Sequence, residues 1–284
     1  MKFSLWTQYG AMNSKPVFNA FEKSLKDAGH SVVHNNNNAD VNVIWSVLWN
    51  GRMAANQSIW NNDKPTIVLE IGGIKRGATW RVGLNGINRD AYFGDTGMDS
   101  NRSSLQGLEL TPWRTSGNHI LLCGQHEKSE QWRGMPSMSK WVMQTIENIQ
   151  KHTDRPIYFR PHPRCPLPEI ERQYKNVYRQ APQHILGSYD DFDMSFKNAW
   201  AVVCHSSNPG PQSIMSGIPA FVSPSSIAYD VGNDIDFWHD IESPLMPDRQ
   251  QWLNDYAWTE YTVDEISQGI PLKRLTTALS NAII

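Results

Sequence analysis

AWAVVCHSSNPGPQSIMSGIPAFV, residues 199–222, contains a complete strand, loop, helix and strand in succession, and it decides how the rest of the chain is read. "AWAVVC" is an unbroken apolar run of strand length, "PQSIMSG" is a short helical stretch closed by Gly217, and "IPAFV" is a second apolar run. Strands that are apolar throughout belong to parallel sheets covered by helices on both faces, where alternation toward water is lost. The polar insert "HSSNPG" separates the first strand from the helix. Ligands of open parallel sheets sit beyond the carboxyl ends of the strands. His205, Ser206, Ser207 and Asn208 are therefore candidates for a binding loop, whose hydroxyls and free backbone N–H groups suit an anion. A serine that only caps the helix would use the same residue type.

The same alternation extends to either side. Upstream, "NHILLC" (118–123) reads as a strand, and "GQHEKSEQWRGMPS" as a polar loop. A helix follows, with Trp141, Val142, Thr145, Ile146 and Ile149 on one face. "PIYF" (156–159) is the next strand and runs into "RPHPR", which gathers Arg160, His162 and Arg164 where a slightly acidic chain has no general reason to concentrate cations. Guanidinium and imidazole groups suit phosphate oxygens, and prolines lower the entropy lost in fixing the loop. A rigid solvated turn, its arginines paired with nearby acids, is the plainer alternative.

An earlier series begins at the amino end. "KFSLWTQ" is a strand. From Pro16 the apolar residues Val17, Phe18, Phe21, Leu25 and Ala28 recur at helical spacing until Gly29. "HSVVH", "VNVIWSVLW" and "PTIVLE" are further strands, the last ending at Glu70 before Gly72 and Gly73. Between about residues 73 and 117 the pattern dissolves into turn formers, which predicts long loops or short strands. The tail from Asp248 reads as helices broken at Gly269 and Pro271. The expectation is an α/β chain of two Rossmann-like lobes, residues 1–116 and 117–284, with the tail in the second. The loops after Glu70, Phe159 and Cys204 are expected to face one cleft.

Composition excludes several classes. The 284 residues, 39% hydrophobic and 19% charged, can build a large core. No apolar run is long enough for a bilayer, and "MKFSLWTQYG" lacks the apolar stretch of a signal peptide, so a cytoplasmic location is expected. A net charge of −2 gives no general attraction to nucleic acid. The three cysteines form no CxxC pair, which argues against a zinc site or a disulfide framework. No DxD-like carboxylate pair follows a strand, so no metal is expected. "DD" at Asp190-Asp191 reads as a helix start.

Three short motifs carry a resemblance: "EIG" at Glu70–Gly72, "HP" at His162-Pro163 and "SS" at Ser206-Ser207. They are similar to the motifs of bacterial sialyl- and polysialyltransferases and of capsule Kdo transferases, enzymes of the GT-B fold. The resemblance implies that Glu70 is the general base, that His162 contacts the donor phosphate and that the serines hold the nucleotide. It also implies a UDP- or CMP-linked sugar as co-substrate. Ile71 stands where those families carry a second carboxylate. Arg160, Arg164, His205, Asn208 and Asp230 are added as donor contacts, while His126, His205, Asp90 and Asp99 are reserve candidates for the base.

A fainter resemblance links the segments at 155–164 and 247–269 to proteins of tailed bacteriophages, which often glycosylate hydroxymethylated bases of their own DNA. It implies 5-hydroxymethylcytosine in DNA as acceptor, with Lys75, Arg76, Arg81 and Arg89 as a phosphate-and-base surface. A surface glycan, capsule or lipid-linked, is the alternative acceptor. A nucleotide-sugar hydrolase or epimerase, or a binder without turnover, would draw on the same residues.

Overall fold

A computed structural model describes residues 1–48, 52–60, 63–181, 183–184, 192–193 and 195–282, so the Asp190-Asp191 pair lies outside the described residues. In chain order the strands are β1 (Lys2–Leu5), β2 (Ser31–His34), β3 (Val41–Trp45), β4 (Thr66–Ile71), β5 (Trp80–Leu84), β6 (His119–Cys123) and β7 (Ile157–Arg160). They continue as β8 (Val177–Arg179), β9 (Gln183–His184), β10 (Phe192–Asp193), β11 (Ala199–Val203), β12 (Ala220–Val222), β13 (Asn233–Asp234) and β14 (Glu260–Tyr261). The helices are α1 (Lys15–Asp27), α2 (Ala55–Trp60), α3 (Asn101–Leu105), α4 (Met138–Ile149), α5 (Pro209–Met215), α6 (Gln250–Tyr256), α7 (Val263–Ser267) and α8 (Ile270–Ala282). No helix among the described residues is long and apolar enough to cross a membrane.

The chain divides into two compact units, residues 1–102 with 254–284, and residues 103–253. In the first, the sheet order is β14-β5-β4-β3-β1-β2. Strands β1 to β4 are mutually parallel, whereas β5 runs antiparallel to β4 and β14 antiparallel to β5. All five residues of β3 are buried, as a strand covered on both faces requires. Helix α1 buries Val17, Phe18, Phe21 and Leu25 on this sheet. It stops in a Schellman motif: Gly29, at φ +78°, donates its N–H to Lys26 O, and His30 donates to Leu25 O. Burial of each such large apolar side chain contributes about 1.5–3 kcal/mol.

The main sheet of the second unit is wholly parallel, in the order β13-β12-β11-β6-β7-β8, and β9 and β10 form a separate antiparallel pair. Its central strands are level at one end: Cys123 pairs with Arg160, and Val203 with Leu122. The loops after β6, β7 and β11 therefore leave the sheet along one edge. Helix α4 packs Trp141, Val142, Ile146 and Ile149 into the same core as Trp132 and Phe159.

The boundary differs from the expected one near Ser116, for two physical reasons. Residues 111–114 lie against the turn between α5 and β12, where Thr111 N donates to Met215 O and Arg114 N to Gly217 O. Gly217 has φ +75°, and a Cβ there would collide with the Pro112 carbonyl. The tail, expected in the second lobe, is instead held by buried Arg102. This arginine donates to Ala257 O at 2.6 Å, Glu260 O at 2.7 Å and Glu265 at 2.6 Å, while its guanidinium covers the rings of Trp258 and Tyr261. Helices end near Gly269 as expected, at φ +75°, but Pro271 falls in the first turn of α8, where its missing N–H costs nothing. Strand β5 supplies a regular element inside the expected loop region, and β3 ends at Trp45 rather than running on to Trp49.

Candidate functional site

In the second unit the site is built from the loops after β6, β7 and β11. Gln125 stands two residues beyond the end of β6. Its Oε1 accepts from the backbone N–H of Ser206 at 3.0 Å and from the Ser206 hydroxyl at 3.1 Å. Its Nε2 donates to Ser129 Oγ at 3.1 Å. One buried amide thus ties the first loop to the third, and the side chains of Gln125, His205 and Ser206 are all buried. Gly124 permits the loops to approach, since a Cβ there would lie 3.3 Å from the His162 nitrogen.

His205 packs edge-on against buried Trp132, with ring centroids 5.1 Å apart, and its Nδ1 lies 3.3 Å from Ser206 Oγ. Burial pushes its imidazole down to about 4, so the ring is neutral at neutral pH. Ser207 Oγ is buried without a hydrogen-bond partner among the described residues. A buried hydroxyl left so costs about 1–3 kcal/mol, which a ligand oxygen could recover. Neither serine caps α5. Its N-cap position is Asn208, whose side chain makes no capping bond.

In the loop after β7, His162 Nδ1 accepts from the Arg164 N–H at 3.1 Å. An accepting Nδ1 puts the proton of the neutral ring on Nε2, so Nε2–H can donate to an anionic oxygen without the ring being charged. The His126 ring meets it edge-on, 5.3 Å between centroids. Arg160 is buried: its NH2 donates to Gln180 Oε1 at 2.8 Å and Ser195 O at 2.9 Å, while its NH1 has no hydrogen-bond partner among the described residues. It braces the end of β7 against the chain beyond β8. Arg164 is exposed, and Asp230 is exposed in the turn that joins β12 to β13.

In the first unit Glu70 is the penultimate residue of β4, half-buried. Burial raises its carboxyl above the usual range, opposed by hydrogen bonds from the Ser46 side chain and the Ile71 N–H and by the charges of Arg81 and Arg76. Ser46 follows β3 in the left-handed region at φ +51°, with its N–H donated to Leu69 O at 2.7 Å. The loop behind Glu70 is organised by Glu260, a wholly buried carboxylate brought by the tail. It accepts from Gly73 N at 2.7 Å, Ile74 N and Thr79 Oγ1 both at 2.9 Å, and Arg81 NH2 at 3.0 Å. Arg81 is therefore a core residue, not part of an acceptor surface; its NH1 donates to Asn88 Oδ1 at 2.8 Å. Lys75 and Arg89 are exposed and Arg76 half-buried. The reserve bases Asp90 and Asp99 are turn formers, accepting from Asn88 N and Asn101 N respectively.

Sequence reasoning missed Gln125, Ser46 and Glu260. Gln125 was within reach, because "GQHEKSEQW" follows a strand just as the two other loops do. No local signal marks Glu260.

No protein-family model matches the chain, and no curated protein matches it. Solved structures do. The β-Kdo 2,7 transferase of Thermosulfurimonas dismutans KpsC aligns at TM-score 0.55 and 14% identity, covering 96% of this chain and 100% of that chain. The β-Kdo 2,4 transferase of the same organism's KpsC aligns at TM-score 0.54 and 12% identity, covering 100% and 98%. The fold is of the GT-B kind. At this identity the likeness concerns the path of the backbone, and the chemistry must be argued from the residues.

Proposed function

We propose that the chain is a glycosyltransferase that moves a sugar from a nucleotide-sugar to an acceptor hydroxyl. The observation that carries this reading is the hydrogen-bonded link of Gln125 to Ser206 beside the loop that bears His162, at the carboxyl edge of a parallel sheet, where an open α/β sheet holds its ligand. The fold shared with two Kdo transferases supports it.

In this reading the acceptor oxygen attacks the anomeric carbon while the bond from that carbon to the donor phosphate breaks, its electron pair leaving with the phosphate oxygen. Glu70 takes the hydroxyl proton. A carboxylate whose affinity for protons is raised by burial is a better base than an exposed one. His162 donates from Nε2 to the phosphate as its charge grows. Ser207 Oγ and Asn208 contact phosphate or ribose, and exposed Arg164 adds positive charge nearby.

The acceptor we propose is a saccharide hydroxyl of a surface glycan or its lipid-linked precursor. A 5-hydroxymethylcytosine acceptor drew on the basic stretch from Lys75 to Arg89, and that stretch loses Arg81 to the core. The test is incubation of the protein with CMP- and UDP-linked sugars, with and without an oligosaccharide acceptor and hydroxymethylated DNA. Nucleotide release that requires the saccharide, with a matching gain in its mass, supports the proposal. Release without any acceptor makes the chain a hydrolase, and mass gained by the DNA base restores the nucleic-acid acceptor.

A further inference from the structure

His126 has no part in the mechanism above, yet it stands in the loop that Gln125 fixes. Its ring meets that of His162 edge-on with centroids 5.3 Å apart and an interplanar angle of 77°. Its backbone is pinned, since the carbonyl accepts from Ser129 N at 3.0 Å and the preceding residue is held to Ser206. Its Nδ1 is buried and has no hydrogen-bond partner among the described residues. A ring whose buried nitrogen meets neither donor nor acceptor from the protein is poised for a partner that comes from outside.

The charges around it identify that partner. Arg164 and Lys128 are the cationic neighbours, Glu127 the anionic one, and the His162 imidazole and the Cys165 thiol complete the titratable surroundings. Glu127 is occupied elsewhere, accepting from the Met138 N–H and approached by Cys165 Sγ. Burial, Arg164 and Lys128 all hold the His126 ring neutral in the free protein. His162 is not its equal, because a protonated Nδ1 would lose the Arg164 N–H bond. Of the two rings, His126 is the one free to gain a proton.

We propose that His126 is a second anion contact of the donor site, which takes up a proton when the nucleotide phosphate binds and so becomes its charged partner beside His162. The inference rests on the donor site proposed above and adds to it a residue and a proton. A dianionic phosphate near the ring offsets the repulsion of Arg164 and Lys128 and offers an acceptor to a new N–H. The ring's proton affinity is then higher in the complex than in the free protein. By linkage, nucleotide affinity is greatest below the free value and falls as pH rises through the bound value.

The test uses CMP and UDP as probes. Calorimetric titrations near neutral pH in two buffers of different ionisation enthalpy count the protons taken up, and up to about one per nucleotide is expected. The uptake should vanish in His126→Gln and persist in His162→Gln, which instead weakens binding. Imidazole signals of His126, followed by NMR across pH, should shift to higher pKa when CMP is added. Binding with no uptake, uptake unchanged in His126→Gln, or a His126 signal indifferent to CMP overturns this inference and leaves the transferase reading standing. Absence of any heat with either nucleotide overturns both.

Discussion

Glu260 and Arg81 face each other across the β14–β5 pair, Oε1 to NH2 3.0 Å, with the glutamate side chain wholly buried and the arginine 4% exposed. The same carboxylate collects two backbone N–H groups and a hydroxyl from the loop behind Glu70. A residue near the chain's end therefore sets the shape of a loop that lies 181 to 187 positions earlier. Glu260→Ala should cost about 3–5 kcal/mol, because it leaves a buried guanidinium unpaired. Urea unfolding followed by tryptophan fluorescence checks this; a loss below about 1 kcal/mol would mean that the pair is not buried in solution.

Replacement of the proposed base by its amide separates binding from chemistry. Glu70→Gln should leave nucleotide affinity unchanged and reduce turnover by about 10²–10⁴, the ordinary worth of a general base. Single-turnover rates beside calorimetric affinities make the comparison, and near-normal turnover would remove Glu70 from the mechanism.

Ser46 tunes that base. The hydroxyl bond to the Glu70 carboxylate favours the ionised form, so Ser46→Ala should move the acid limb of the rate profile to higher pH. Activity depends on the ionised carboxylate and is lost as pH falls through its pKa, so the variant should lose activity at a higher pH than the parent. An unmoved acid limb would show that Ser46 only shapes the backbone at φ +51°.

Gln125→Glu puts a negative charge beside Ser206, where we propose the donor phosphate binds. Thermal shift with CMP should fall toward zero in this variant, whereas the parent at 100 times its dissociation constant gains about 2.7 kcal/mol. An undiminished shift would detach the Gln125–Ser206 link from the donor site.

His205 makes stability depend on pH in a defined direction. Its folded value of about 4 lies below the ordinary 6.5. Between those values the unfolded chain binds the proton and the folded one does not, so stability is full above pH 6.5 and falls as pH drops toward 4. His205→Gln should flatten this part of the curve in urea midpoints measured against pH. A curve of unchanged slope would place the ring in water.

The α/β class and most strands of both sheets were legible in the sequence, because unbroken apolar runs such as 199–203 and 119–123 occur where a parallel sheet is covered on both faces. Two loops of the second unit were legible as candidates for a related reason: "RPHPR" and "HSSNPG" each follow a strand, and chain order alone says which end of a parallel strand they leave from. The fate of individual charges was not legible. Arg81 read as part of an acceptor surface and Arg160 as a donor contact, and each is buried with a partner far along the chain, Glu260 in one case and the Ser195 carbonyl in the other. The boundary failed in the same way, since Arg102 holds the tail through residues 155 to 163 positions away. Local pattern records what one element buries against its own sheet. Which distant carboxylate neutralises a buried guanidinium is decided only when the chain is folded, because desolvation makes a lone buried charge untenable and leaves the nearest opposite charge in space, not in sequence, to compensate it.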